Sequence, residues 1–101
     1  MYLYNVTIKV SAEIHDIWLH WLQEEHIPDV MQTGCFSGFS IYRLLEVDDS
    51  EGPTYAVQYR AESKSLYNHY IDKYANELRR KTYEKWGDSF IAFRTLMQAV
   101  N

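Results

Sequence analysis

Cysteine is almost absent from the chain, with Cys35 the only one. A single thiol cannot close an internal disulfide, and the first residues read as a strand rather than as the basic, apolar segment of a signal peptide. No apolar run approaches the ~20 residues that span a bilayer. We therefore expect a cytoplasmic protein with no membrane partner.

Basic residues are scarce relative to acidic ones. Ten Lys and Arg stand against fourteen Asp and Glu, which gives a formal net charge of −4. Binding to a phosphate backbone requires a broad positive field, and this balance opposes one. We expect no binding to nucleic acid.

Glycine and proline are also few, with four and two residues. The one polar stretch that contains both is 48–53, and the chain shows no linker, repeat or low-complexity tract. A length of 101 residues fits a single domain. We expect that domain to span residues 1–101.

Aromatic residues, by contrast, are plentiful. Nine Tyr, four Phe and three Trp make up 16% of the chain. Their side chains offer a large rigid area at low rotamer entropy, so they suit strands, interfaces and pocket walls. The composition favours an interface or a pocket.

Four segments carry the patterns of β-strands. Tyr2–Val10 alternates with a period of two, which is typical of a strand. Further strands are predicted over 36–47, 54–61 and 89–99. The turn at 48–53 joins the second and third strands into a hairpin.

Two amphipathic helices are predicted between these strands. Ser11 marks the start of the first, which Pro28 stops or restarts and Gly34 caps. Ser63 caps the second, which ends at Gly87. Their apolar stripes are Ile14, Ile17, Trp18, Trp21 and Leu22 in the first helix, and Leu66, Tyr67, Tyr70, Ile71, Tyr74 and Leu78 in the second.

The order β-α-β-β-α-β predicts an α+β fold of the ferredoxin-like type. In this arrangement a four-stranded antiparallel sheet carries both helices on one face. The other face stays bare, and an exposed apolar face of this size usually marks an interface. Pairing of two such faces is the simplest way to cover them, so we expect a homodimer.

Four stretches of the chain are distinctive: MYLYNVTIKV, WLHWLQEEHIPDVMQTGCF, TYAVQYRA and GDSFIAFRT. In these stretches the chain resembles an uncharacterised domain-of-unknown-function family of the dimeric α+β barrel superfamily. The resemblance covers nearly the whole chain and implies a ferredoxin-like fold and a dimer, but no reaction. The superfamily includes cofactor-free quinol monooxygenases, haem-degrading monooxygenases, lactone isomerases and amino-acid-sensing domains, so function must be argued from the site.

The most suggestive acid–base candidates are Glu25 and His26, which directly precede a break at Pro28. A histidine beside carboxylates can exchange protons near neutral pH. Glu25 lies four residues after Trp21 on the predicted apolar stripe, where burial would raise its pKa. The alternative is a structural junction at a helix end, with Glu25 at the rim of the core.

Polar residues on the strands form a second candidate site. Asn5 and Gln58 would orient a polar ligand, Arg94 would grip a carboxylate with two hydrogen bonds, and Trp21 would help to exclude water. The alternative is that these groups pair across the sheet or the dimer interface. A shift of one residue in the last strand would turn Arg94 to the other face.

Three functions remain open. The first is binding of a small polar or anionic metabolite, either between sheet and helices or at the dimer interface. The second is a cofactor-independent monooxygenase or isomerase that uses His26 and Glu25, and the third is an interaction protein without a ligand. No phosphate loop, nucleophile elbow or metal-ligand spacing occurs, so we expect neither a metal nor another cofactor and favour binding.

Overall fold

The computed structural model describes residues 1–101. Its strands form one antiparallel sheet in the order β2-β3-β1-β4, with all helices on one face. This confirms the predicted ferredoxin-like architecture. The strands are β1 (Tyr2–Val10), β2 (Gly38–Arg43), β3 (Thr54–Ala61) and β4 (Phe90–Gln98).

The second strand is shorter than the predicted segment 36–47. It ends at Arg43, and the chain then turns away from the extended conformation, with Glu46 at a φ of 58°. Leu45 and Val47, which continued the alternating pattern, are exposed in this loop. The alternating pattern alone therefore overestimates the length of β2.

Each predicted helix is built from two α-helical segments joined by a π-helical turn. The first helical arm consists of α1 (His15–Trp21), the turn Leu22–His26 and α2 (Ile27–Met31). The second helical arm consists of α3 (Lys64–Tyr70), the turn Ile71–Ala75 and α4 (Asn76–Trp86). No helix is long and apolar enough to cross a membrane.

The ends of the arms agree in part with the predicted caps. Ser63 Oγ accepts a hydrogen bond from the amide of Leu66 at 3.1 Å, and Gly87 ends the second arm with a φ of 59°. Ser11 makes no side-chain cap, because a short 3₁₀ turn (Ala12–Ile14) intervenes before α1. The predicted cap at Ser11 is therefore wrong.

The core lies between the arms and one face of the sheet. Trp18 and Leu22 are almost fully buried, whereas Ile17 is 63% exposed, so the inward stripe of the first arm is narrower than predicted. The strands contribute the residues of one parity. These are Tyr4, Ile8 and Val10 from β1 and Tyr55, Val57, Tyr59 and Ala61 from β3.

The loop 44–53 is fastened to the end of β1 at Gly52. This glycine has a φ of 149°, and a Cβ atom there would overlap the carbonyl oxygen of Val10. Gly34 also has a positive φ, 76°, but a Cβ there would meet no atom within 4 Å. A side chain at Gly34 would therefore introduce backbone strain alone, whereas a side chain at Gly52 would introduce both backbone strain and steric overlap.

We expect Gly52→Ala to lower the free energy of unfolding by about 3 kcal/mol, because strain and overlap with backbone act together. Gly34→Ala is the matched control and should cost only about 1 kcal/mol, the strain alone. Urea denaturation of both variants measures the difference. Equal losses would show that the loop does not press on β1 at Gly52.

Candidate functional site

A cavity of about 50 Å³ lies between the sheet and the helical arms. A space of this size holds a few water molecules. Twelve of its sixteen lining residues are hydrophobic, so its polar groups are few and stand out. They are His26, Arg79, Thr82 and Arg94.

The first π-helical turn brings His26 into this cavity. The amide of Ile27 donates to the carbonyl of Leu22, five residues earlier, directly before Pro28, which has no N–H to donate. The longer turn places His26 against Trp21, with ring centroids 4.9 Å apart and planes 25° from parallel. His26, five positions after Trp21, therefore faces inward, whereas Glu25, four positions after Trp21, does not.

Glu25 consequently lies on the exposed surface of the arm and does not line the cavity. The prediction that it occupies the apolar stripe is wrong, because that prediction assumed an uninterrupted α-helix. Glu25 and His26 meet only in a shallower surface groove that also involves Lys81 and Lys85, not in the cavity beneath the arms.

The second π-helical turn has a similar effect on Arg79. Tyr70 and Ala75, five residues apart, are both buried, and Arg79 follows one α-helical turn later on the same side. Arg79 Nη2 donates a hydrogen bond to the Tyr4 hydroxyl at 3.0 Å. Arg79 is not predicted from the sequence, since nothing in Ile71–Ala75 signals the longer turn.

The register of β4 decides where Arg94 lies. Arg94 pairs with Val6, whose side chain faces the helices, whereas Thr95 pairs with Asn5. Phe90 packs against Tyr83 of the second arm, and Arg94 has the same parity as Phe90. Arg94 therefore faces the cavity.

Asn5 and Gln58 lie opposite each other on the uncovered face of the sheet. Asn5 Nδ2 donates to Thr7 Oγ1 at 3.0 Å, while Asn5 Oδ1 is buried without a partner. The prediction that Arg94 joins them on one face is wrong, because the strand register places it on the other. Of the predicted site residues, the cavity thus brings together Trp21, His26 and Arg94.

The imidazole of His26 is held in its neutral form. Burial lowers its pKa from 6.5 to about 4, nearby Asp29 opposes the shift, and the positive charges of Arg94 and Lys81 add to it. At pH 7 His26 therefore offers one nitrogen that donates and one that accepts a hydrogen bond.

The guanidinium groups of Arg79 and Arg94 have no carboxylate partner within 4 Å. Burial raises the pKa of the Tyr59 and Tyr70 hydroxyls, so both stay protonated at neutral pH and remain able to donate. Both tyrosines also line the cavity. At neutral pH its polar groups are therefore mainly hydrogen-bond donors, with two uncompensated positive charges.

No group of three His, Cys, Asp or Glu side chains is arranged to hold a metal ion. The donor-rich lining suits oxygen atoms that carry negative charge better than it suits a cation.

The neutral state of His26 predicts a specific dependence of stability on pH. Between pH about 6.5 and pH about 4 the unfolded chain binds a proton at His26 that the folded chain does not, so lowering the pH through this window destabilises the fold. His26→Gln should remove that contribution and flatten the pH dependence. Thermal melts between pH 4 and 7 measure it.

His69→Gln, which removes an imidazole from the exposed surface of α3, is the matched control. A His26→Gln variant that loses stability with falling pH as steeply as the wild type would contradict the buried neutral imidazole.

Three solved structures illustrate how widely this fold is shared. A dimeric ferredoxin-like protein from an uncultured marine organism is 9% identical, with coverage of 99% of this chain and 95% of that chain and a TM-score of 0.76. A second such protein, also from an uncultured marine organism, is 16% identical, with coverage of 100% and 96% and a TM-score of 0.69. An antibiotic biosynthesis monooxygenase is 16% identical, with full coverage of both chains and a TM-score of 0.62.

At such identities the likeness concerns the fold alone. A comparison with curated proteins finds no match to the chain. The family model described as "Domain of unknown function (DUF4286)" matches residues 1–100. The match extends over both helical arms and all four strands, and the chain belongs to this family.

Proposed function

We propose that the protein binds a small organic anion in the cavity between the sheet and the helical arms. The observation that carries the proposal is the pair of guanidinium groups, Arg79 and Arg94, which line an otherwise apolar cavity without any carboxylate partner. A protein with a net charge of −4 has acidic groups to spare for neutralising them. Their isolation leaves a positive site for a ligand to fill.

The two arginines occupy different depths. Arg79 is half-buried and fixed by the Tyr4 hydroxyl, whereas Arg94 is exposed and stands at the mouth. A carboxylate entering past Arg94 can accept two parallel hydrogen bonds from its guanidinium. The charge–charge attraction is stronger there than in bulk water because the surrounding walls have a low dielectric constant.

The walls favour a compact apolar body on the ligand. Trp18, Trp21 and Phe90 line the cavity beside the donors, and aromatic rings bind flat or branched hydrocarbon groups well. The volume of about 50 Å³ restricts the ligand to a small molecule or to one end of a larger one. We therefore propose a monocarboxylate with an aromatic or short aliphatic group.

Proton transfer at His26 is a second candidate function. Its neutral imidazole lines the same cavity as Arg94, and an anionic substrate would offset the positive charges that lower its pKa, so that it can accept a proton while the guanidinium stabilises the resulting anion. One fold neighbour is an antibiotic biosynthesis monooxygenase. We propose monooxygenase activity for this chain only as this second candidate function. Glu25 has no direct part in such a step because it lies outside the cavity.

We also propose that the protein forms a homodimer through the uncovered face of the sheet. Ile91, Phe93 and Met97 are 58%, 67% and 36% exposed on this face, and two fold neighbours are dimeric ferredoxin-like proteins. Covering these side chains gains free energy in proportion to the apolar area removed from water, about 25 cal/mol per Å². The ligand site and this dimer surface lie on opposite sides of one sheet.

Isothermal titration with small acids tests the anion site. Benzoate, phenylacetate and hexanoate should each bind more tightly than the corresponding neutral amide. Arg94→Gln should weaken binding of the preferred acid about tenfold, the scale of a lost charge-assisted hydrogen bond. Arg43→Gln is the matched control, because it removes an equal charge that pairs with Asp49 outside the cavity.

A panel in which no acid binds better than its amide would contradict the proposal and leave the interaction protein as the better account. Binding that survives His26→Gln while turnover is lost would support the acid–base function.

A further inference from the structure

The apolar surface of the uncovered sheet face is concentrated on one edge. The β4 edge presents Ile91, Phe93 and Met97. The β2 edge presents Gly38 and Ser40, with Tyr42 as its only large side chain. Two copies of this face therefore bury their apolar side chains well only if the β4 edge of one copy lies over the β4 edge of the other.

Charge is distributed unequally between the two ends of the strands. At the Lys9 end lies the loop 44–53, which contains four acidic residues and no basic one, and Arg43 directly before it lies 3.6 Å from Asp49, so that Glu46 and Asp48 have no cation partner. The amide of Ala12 donates to the carbonyl of Glu51 at 3.0 Å, and Lys9 Nζ lies 3.6 Å from a Glu51 carboxylate oxygen. These contacts fix an acidic loop at this end of the sheet.

Arg60 lies at the opposite end. Its side chain extends across Gly38, where a Cβ atom would overlap the guanidinium, and its Nη1 donates to Ser40 Oγ at 3.2 Å. No carboxylate lies within 4 Å of the Arg60 guanidinium, and this includes the carboxylate of Glu62 two residues later. The face thus holds a positioned cation without a counter-charge.

A two-fold axis between two facing sheets can run along the strands or across them. An axis along the strands lays the β4 edge over the partner's β2 edge, stacks acidic loop on acidic loop and sets Arg60 against its own copy. An axis across the strands lays β4 over β4 and brings each acidic loop to the Arg60 end of the other protomer. Apolar pattern and charge, two independent features, both favour the second arrangement.

We propose that the occupant of this face is a second copy of the chain with its strands antiparallel to the first, and that the acidic loop 44–53 of each protomer neutralises Arg60 of the other. This rests on the homodimer proposed above and assigns its orientation. This orientation does not depend on the ligand cavity.

The area available agrees with a role for the loop. Four strands about 4.8 Å apart and about eight residues long cover about 500 Å². Stable interfaces bury at least about 600 Å² on each partner. The flat footprint of the sheet is close to this value, and in the proposed arrangement the loop over the partner's sheet end adds to it.

Charge reversal within one chain tests the orientation. Arg60→Glu should raise the dimer Kd about tenfold, because two like-charge contacts replace two favourable ones. Adding Glu46→Lys and Asp49→Lys to the same chain should restore the wild-type Kd. Lys73→Glu, an equal change of charge on the exposed side of the second helical arm, is the matched control and should leave the Kd unchanged.

Sedimentation velocity over a dilution series, with circular dichroism to check folding, measures each Kd. Salt gives a second measurement on the unaltered protein: a rise from 20 to 300 mM NaCl should weaken the antiparallel dimer, whereas it should strengthen a dimer in which like charges meet. A dimer indifferent to Arg60→Glu and tightened by salt overturns the orientation alone. A protein that stays monomeric at 100 µM overturns the homodimer as well, and leaves the face to a different partner.

Discussion

One extra residue in a helical turn determines which side chains of the first arm meet the sheet. Had the α-helix continued without interruption past Trp21, Glu25 would face the core and His26 would turn towards solvent. The bond from Ile27 to Leu22 adds a residue to the turn just before Pro28, where a regular hydrogen bond cannot form. The second arm contains a π-helical turn of the same length, and Arg79, which follows it, faces inward. The polar groups that the two arms contribute to the cavity, His26 and Arg79, thus depend on two local departures from the α-helix, whereas Arg94 reaches it from β4.

The sheet separates two surfaces of different character. Its covered face, with Tyr4, Tyr59 and Arg94, forms the floor of the cavity, while its open face carries Asn5, Gln58 and the apolar edge of β4. Because side chains alternate along a strand, Arg94 projects into the cavity from between Phe93 and Thr95, which project outward. The strand β4 therefore contributes to the proposed ligand site and to the proposed dimer surface at once.

The sequence predicts the sheet well because period-two alternation is a direct consequence of strand geometry. The bounds of β1 and β3 agree with the prediction to the residue, and the fold class follows from the order of elements. The site is harder to predict. Pro28 signals an interruption but not its form, nothing in Ile71–Ala75 signals the second one, and each longer turn rotates every later residue of its arm. The sequence leaves the face of Arg94 open because a strand of exposed residues gives little evidence of its parity.

The central claim is that His26 is a neutral, inward-facing group of a cavity that accepts anions. Imidazole NMR of the wild-type protein, with His26→Gln used to assign the signal, tests it most directly. The account predicts that the His26 ring protonates only near pH 4 and that its resonances shift when a binding carboxylate is added. A His26 signal that titrates near pH 6.5 and is insensitive to every acid that the protein binds would contradict the account.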